Sequence, residues 1–239
     1  MKNLPKVKNN SQTDPLESVE LSGKQIKDVI ESSGVNLVAS FIPGLGKFLE
    51  CIDYANQKIR EEKLNNVLKI FISHFDSLDE ALAQIKKLVS NRSGIILFQK
   101  IIQIVDNGSS DDEWLNILAN ILKNIAEEDI TKHFDERSYF LAQIDRLTPQ
   151  ALIIISKYDL WMQAHIQDTT TTSGQTASGN WSEQVTGFLK TKIGISDGQT
   201  GARINHSFRE LESAGMIKLE GHQIRLTPVG NEIRRMMKK

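Results

Sequence analysis

Arg203, His206 and Arg209 fall on one side of a short stretch whose other side carries Ile204, Phe208 and Leu211 at helical spacing. Two guanidinium groups and an imidazole on one helix face are suited to recognition of an anionic, acceptor-rich surface, and such a face could enter a nucleic-acid groove. Lys190 and Lys192 precede this stretch, while Lys218 and Arg225 flank a Glu-Gly-His turn after it. Together with Arg234, Arg235, Lys238 and Lys239 at the C-terminus they are candidates to meet phosphates. The plain alternative is a solvated helix face with a basic end that complements the helix dipole. Glu210 and Glu212 dilute the positive charge of the helix.

Other chemistries lack their patterns. Pro43-Gly44-Leu45-Gly46-Lys47 resembles a phosphate loop only superficially, because Phe41 and Phe48 occupy the positions that need Gly and Ser or Thr. Asp106 to Glu113 has Gly108, Ser110 and Asp111 where a calcium loop needs Asx, Asx and Gly. His74, His133, His165, His206 and His222 show no ligand spacing, so no metal is expected. Cys51 lies among Phe48, Leu49 and Ile52 and reads as a packing residue, and a single cysteine fits a reducing, cytoplasmic setting. With no nucleophile triad, paired carboxylates or glycine-rich nucleotide signature, the sequence argues for no enzyme and no cofactor.

The cationic residues need elements to hold them. The apolar positions predict a helix over 200–214, ended by Gly215 in a left-handed conformation. Met216 to Leu219 and Gln223 to Leu226 read as a hairpin around Gly221, and Thr227-Pro228 opens a last helix. Two helices precede these elements. One opens at Thr148-Pro149 with Leu152 to Ile155, Tyr158 and Trp161 as its core, and the other starts at Ser182. Between them, Asp168 to Asn180 is a Ser/Thr/Gly run expected to be a flexible insert at 168–180. The phrases SFRELESAGMI and LESAGMIKLEGHQIRLTPVGNEI resemble the winged helix-turn-helix superfamily. That resemblance implies a 148–239 winged-helix module whose contact face is Arg203, His206 and Arg209, with Lys218 and Arg225 on the wing.

Upstream, residues 1–20 read as a flexible arm and 21–147 as a helical bundle with no strand anywhere before residue 215. Its signals are Ser22-x-x-Gln25, the apolar stripe from Leu45 to Phe75, and helices at 78–89, 95–105, 115–126 and 134–147. Ser110-x-x-Glu113 is expected to cap the helix at 115–126. The N-terminus has no apolar core of a signal peptide. The expected architecture is therefore an all-α helical bundle followed by a winged-helix module with a small two-stranded β-hairpin. The net charge of −1 divides unevenly, +5 from Thr186 onward and −6 before it, as a phosphate-facing end would require.

Leu115 to Ala126, Ala142 to Ile155 and Ile224 to Ile233 carry LNILANILKNIA, AQIDRLTPQALIII and IRLTPVGNEI. This order resembles the Abi-alpha family of abortive-infection proteins, which implies a bacterial phage-defence setting without supplying site residues. The reading is a non-catalytic recognition protein, DNA-binding or complex-scaffolding. Its candidate partners are double-stranded DNA, another protein of the same operon, or a second copy of the chain. The competing reading is a protein-interaction or membrane-active effector that uses the apolar 35–52 hairpin. Membrane binding is the less expected because Pro43, Lys47 and Glu50 interrupt that segment.

Overall fold

The computed structural model describes residues 57–109, 111–167, 169–170, 176–177 and 181–238, with side chains from Glu62 onward except over 168–180. The arm at 1–20, the 35–52 hairpin with its Pro43-Gly44 break, and Cys51 lie outside the described residues. The first helices are α1 (Gln57–Ile72), α2 (Leu78–Val89), α3 (Arg92–Asn107), α4 (Asp112–Glu127) and α5 (Ile130–Ile144). They are followed by α6 (Pro149–Ser156), α7 (Tyr158–Trp161), α8 (Trp181–Ile193) and α9 (Gly198–Ser213). The chain closes with strands β3 (Ile217–Glu220) and β4 (Gln223–Leu226) and helix α10 (Pro228–Met237), and β1 and β2 are Thr169–Thr170 and Thr176–Ala177.

Helix α4 is the centre. Trp114, Leu115, Ile117, Leu118, Ala119, Ile121, Leu122, Ile125 and Ala126 are all buried, so the helix is apolar on most sides and has neighbours all round. It packs on α1, α2, α3 and α5 and also on α6 and α10. Its N-cap is Asp111, whose carboxylate accepts the amide protons of Glu113 at 2.9 Å and Trp114 at 3.4 Å. The cap expected at Ser110 therefore falls one residue later, on a side chain equally able to take the free amides. At its other end, Lys87 of α2 donates to the carbonyls of Ala126, Glu127 and Glu128 at 2.9, 3.2 and 2.9 Å. A cation there satisfies the orphan carbonyls and the negative end of the helix together.

Helix α10 rests on α4 through two amides that do the same for its own C-terminus. Asn120 donates to the Met237 carbonyl at 3.0 Å, and Asn124 to those of Met236 at 2.8 Å and Lys238 at 2.9 Å. The buried core runs without a break from Leu64 to Met237.

The hairpin pairs Ile217 with Leu226, Lys218 with Arg225, Leu219 with Ile224 and Glu220 with Gln223. Gly221 at its turn has φ 58° and Gly215, just after α9, has φ 71°. The Gly215 and Met216 amides return to the carbonyls of Glu212 and Leu211, the paired bonds that end a helix around a left-handed residue. Two features depart from the sequence reading. The Ser/Thr/Gly run expected as a loop carries a two-residue antiparallel ladder, Thr169 with Ala177 and Thr170 with Thr176. His165 bridges Gln223, and the Ile166 amide donates to the His222 carbonyl at 2.8 Å, so a third extended segment lies along β4. Both strands fall before residue 215, where none was expected. Threonine's β-branched side chain favours extended backbone, and composition alone had masked that preference.

Candidate nucleic-acid interface

Helix α9 is held by three devices. Asp197 caps it, accepting from the Gln199 amide at 3.2 Å and the Thr200 amide at 2.7 Å. Hydrogen bonds from Thr200, above all from its side chain, hold the Asp197 carboxyl below the usual range, and Lys190 adds to the effect. On the inner face Ile204, Phe208 and Leu211 are buried. Phe208 meets the edges of Trp161 and Trp181 at ring-centre distances of 5.2 and 6.4 Å, geometries that suit the aromatic quadrupole. Finally, Glu210 reaches across to α6, accepting the Thr148 amide at 2.6 Å and the Thr148 hydroxyl at 2.7 Å. That hydroxyl is itself the N-cap of α6.

With the inner face fixed, Arg203, His206 and Arg209 are exposed on the outer face, with Ala202 beside them. Glu210 is not one of this set, because its carboxylate is used in holding Thr148. Arg209 is exposed yet anchored, its Nε donating to Ser182 Oγ at 3.1 Å at the start of α8. Arg203 has no carboxylate partner among the described residues.

Helix α8 packs directly against α9 and brings Lys190 to the two-helix surface. The Lys190 side chain lies over Gly201, where a Cβ would stand 2.9 Å from its Nζ. Lys192 rests its ammonium 5.5 Å from the centre of the Phe188 ring, a favourable cation–π placement. Between the two helices is an open hollow of about 360 Å³, lined by Gly187, Gly198, Gly201, Ala202 and the polar residues Glu183, Thr186, Lys190 and Asn205. Four of the seven sequence-derived candidates thus share one surface: Lys190, Arg203, His206 and Arg209; Lys192, two residues from Lys190, is on another side of α8 beside Phe188.

Lys218 and Arg225 form a separate group on the hairpin. Both converge on Glu220, at 2.5 Å from Lys218 Nζ and 3.6 Å from Arg225 Nε, and Arg225 also donates to Gln223 Oε1 at 3.1 Å. The hydrogen bond from Lys218, with the charges of both cations, holds the Glu220 carboxyl below its ordinary value. The C-terminal cations are engaged as well. Arg234 pairs with Asp159 and stacks over the Tyr158 ring at 5.0 Å. Lys238 lies 3.6 Å from Asp159, and Arg235 pairs with Glu232 at 2.6 Å. Sequence reasoning missed the parts played by Glu220, Glu210 and Asp159. Only Glu220 had a local signal, since residues two apart on a strand share a face.

Compared with family models, curated proteins and solved structures, the chain matches none of them. Among the described residues, no helix is long and apolar enough to cross a membrane.

Proposed function

We propose that the chain is a non-catalytic recognition protein that binds double-stranded DNA through a C-terminal winged-helix module. In this reading α6 and α7 form the first helix of the module, α8 and α9 the helix-turn-helix, and β3–β4 the wing. The segment at His165 and Ile166, bonded to β4, takes the place of the short first strand of such modules. The observation that carries the proposal is the surface shared by α8 and α9. Arg203, with no carboxylate within ion-pair distance among the described residues, and Lys190, whose charge also reaches Asp197, lie there next to His206 and Arg209. Open cations on adjacent helices can replace the counterions of a duplex, whereas cations already paired must first give up a partner. The Leu-Thr-Pro steps, which resemble one in the Abi-alpha family, support a phage-defence setting for this activity in the bacterial cytoplasm.

A salt-titrated binding assay on a labelled mixed-sequence duplex tests it. Affinity should fall linearly with salt on logarithmic axes, by about 0.9 in slope for each phosphate engaged. The variant Arg203→Ala joined to Lys190→Ala should flatten that slope and weaken binding. No binding at low salt, or a double variant equal to wild type, would overturn the proposal.

A further inference from the structure

The exposed face of the hairpin has a charge arrangement that the α8–α9 surface lacks. Lys218 and Arg225 are directly opposite in register, a placement in which two like charges repel. Glu220 is on the same face, two register pairs nearer the turn, with Gln223 opposite it. Its carboxylate takes both cations, at 2.5 Å from Lys218 and 3.6 Å from Arg225, while Gln223 accepts a proton from Arg225. All three charged side chains are well exposed, at 51% for Lys218, 59% for Arg225 and 42% for Glu220. Two cations converging on one solvent-facing anion form the group that a backbone phosphate would meet on a wing, with the anion already supplied from within the chain.

We infer that Glu220 is an internal stand-in for a DNA phosphate, masking the hairpin cations so that contact through α8 and α9 comes first and contact through the hairpin is held back. This rests on the DNA-binding reading above. Glu220 competes with the duplex for Lys218 and Arg225, and the wing engages phosphate only when that carboxylate is displaced or its charge removed. Exposed ion pairs are weak enough to be exchanged. Glu220 therefore sets how much of the basic surface a duplex can use, as a determinant of affinity and not as a contact to DNA.

The test is Glu220→Gln in the full chain, measured by fluorescence anisotropy on a mixed-sequence duplex across a salt series. Glutamine keeps the side-chain length and an acceptor while removing the charge. Two freed cations should steepen the logarithmic salt slope by about 1.8, so the gain over wild type is about tenfold greater near 50 mM salt than near 200 mM. Adding Arg225→Gln to Glu220→Gln should remove about half of the added slope. Wild type that binds DNA with Glu220→Gln indistinguishable from it overturns the inference and leaves the DNA-binding reading standing. Weaker binding by a Glu220→Gln protein with unchanged circular dichroism and melting temperature also overturns it, because Glu220 would then be a contact. If neither protein binds at low salt, both the inference and the reading beneath it fall. Binding by Glu220→Gln alone would support the mask in its strongest form.

Discussion

Glu210 provides the sharpest test of how α9 is mounted, because its surface position in sequence and its role in the structure predict different outcomes. Its two carboxylate oxygens accept separately from the Thr148 amide at 2.6 Å and the Thr148 hydroxyl at 2.7 Å. The same hydroxyl accepts the Ala151 amide at 3.3 Å, so the pair closes the N-terminus of α6 against α9. A hydrogen bond to a charged group contributes about 1.5–3 kcal/mol, and solvent access here argues for the lower half of that range or less for each bond. Replacing Glu210 with alanine should therefore cost about 2 kcal/mol, and with glutamine about half as much, since one good acceptor survives. For a chain of this size the alanine variant should melt about 4–8 °C lower. Urea unfolding supplies the free energy directly, and a cycle with Thr148→Ala should show coupling of about 1 kcal/mol or more. An ordinary surface acid would change stability by less than about 0.5 kcal/mol. If Glu210→Ala stayed within that limit, or the cycle proved additive, the clamp would contribute nothing and α9 would be held by its apolar face alone.

Two other substitutions test the frame around the same surface. Gly230→Ala places a methyl group 2.1 Å from the Met216 carbonyl oxygen, a backbone atom already bonded to the Thr227 amide at 2.9 Å. The α10 start must shift off the hairpin, so the cost should reach about 3 kcal/mol, and an unchanged melting temperature would refute that packing. Asp197→Asn removes a charge whose folded pKa lies below its ordinary value of 3.8 because of the Thr200 and Gln199 bonds. A depressed carboxylate adds stability that is present above the unfolded pKa and lost as pH falls through the folded one. The wild type should thus melt above Asp197→Asn at neutral pH, with the gap closing below pH 3.8, and a gap that stays constant into strong acid would exclude the effect.

The helices were legible in the sequence wherever apolar periodicity and end signals agreed. Leu78 to Val89 was placed without error, and the strongly amphipathic α3, α4 and α9 were found within three residues of their ends. Gly215, Gly221 and Thr227-Pro228 acted as read, because each relies on a backbone requirement that few residues meet. What the sequence left hidden is non-local. Asn120 and Asn124 look like polar interruptions of a greasy helix, yet they bond the end of α10 more than a hundred positions away. The break between α6 and α7 at Lys157 was also unread, since Leu152, Ile155, Tyr158 and Trp161 keep a helical period across it. The extended segment at His165 has no alternation to signal it, being paired only at one bridge and one hydrogen bond.

Charge was the property most altered by folding, and this alteration separates the hairpin from the C-terminal helix as places where a duplex could act. Formal counting assigns equal weight to ten cations after Thr186. In the folded chain Lys218, Arg225, Arg234, Arg235 and Lys238 each have a carboxylate within ion-pair distance; Lys239 lies outside the described residues, which leaves Lys190, Lys192, Arg203 and Arg209 as the open set on α8 and α9. The paired cations are not equivalent. Exposed pairs contribute about 0–1 kcal/mol, so a phosphate can take Lys218 or Arg225 from Glu220 at little cost. Arg234 differs, since its side chain is only 15% exposed, paired with Asp159 and stacked on Tyr158. Withdrawing it would leave the Tyr158 ring without its cation and Asp159 with Lys238 alone at 3.6 Å among the described cations. The hairpin cations can therefore be exchanged between the chain and a ligand, whereas Arg234 belongs to the mounting of α10. A basic C-terminus in the sequence is, in three dimensions, one open surface on α8 and α9, one masked face on the hairpin and one structural strut.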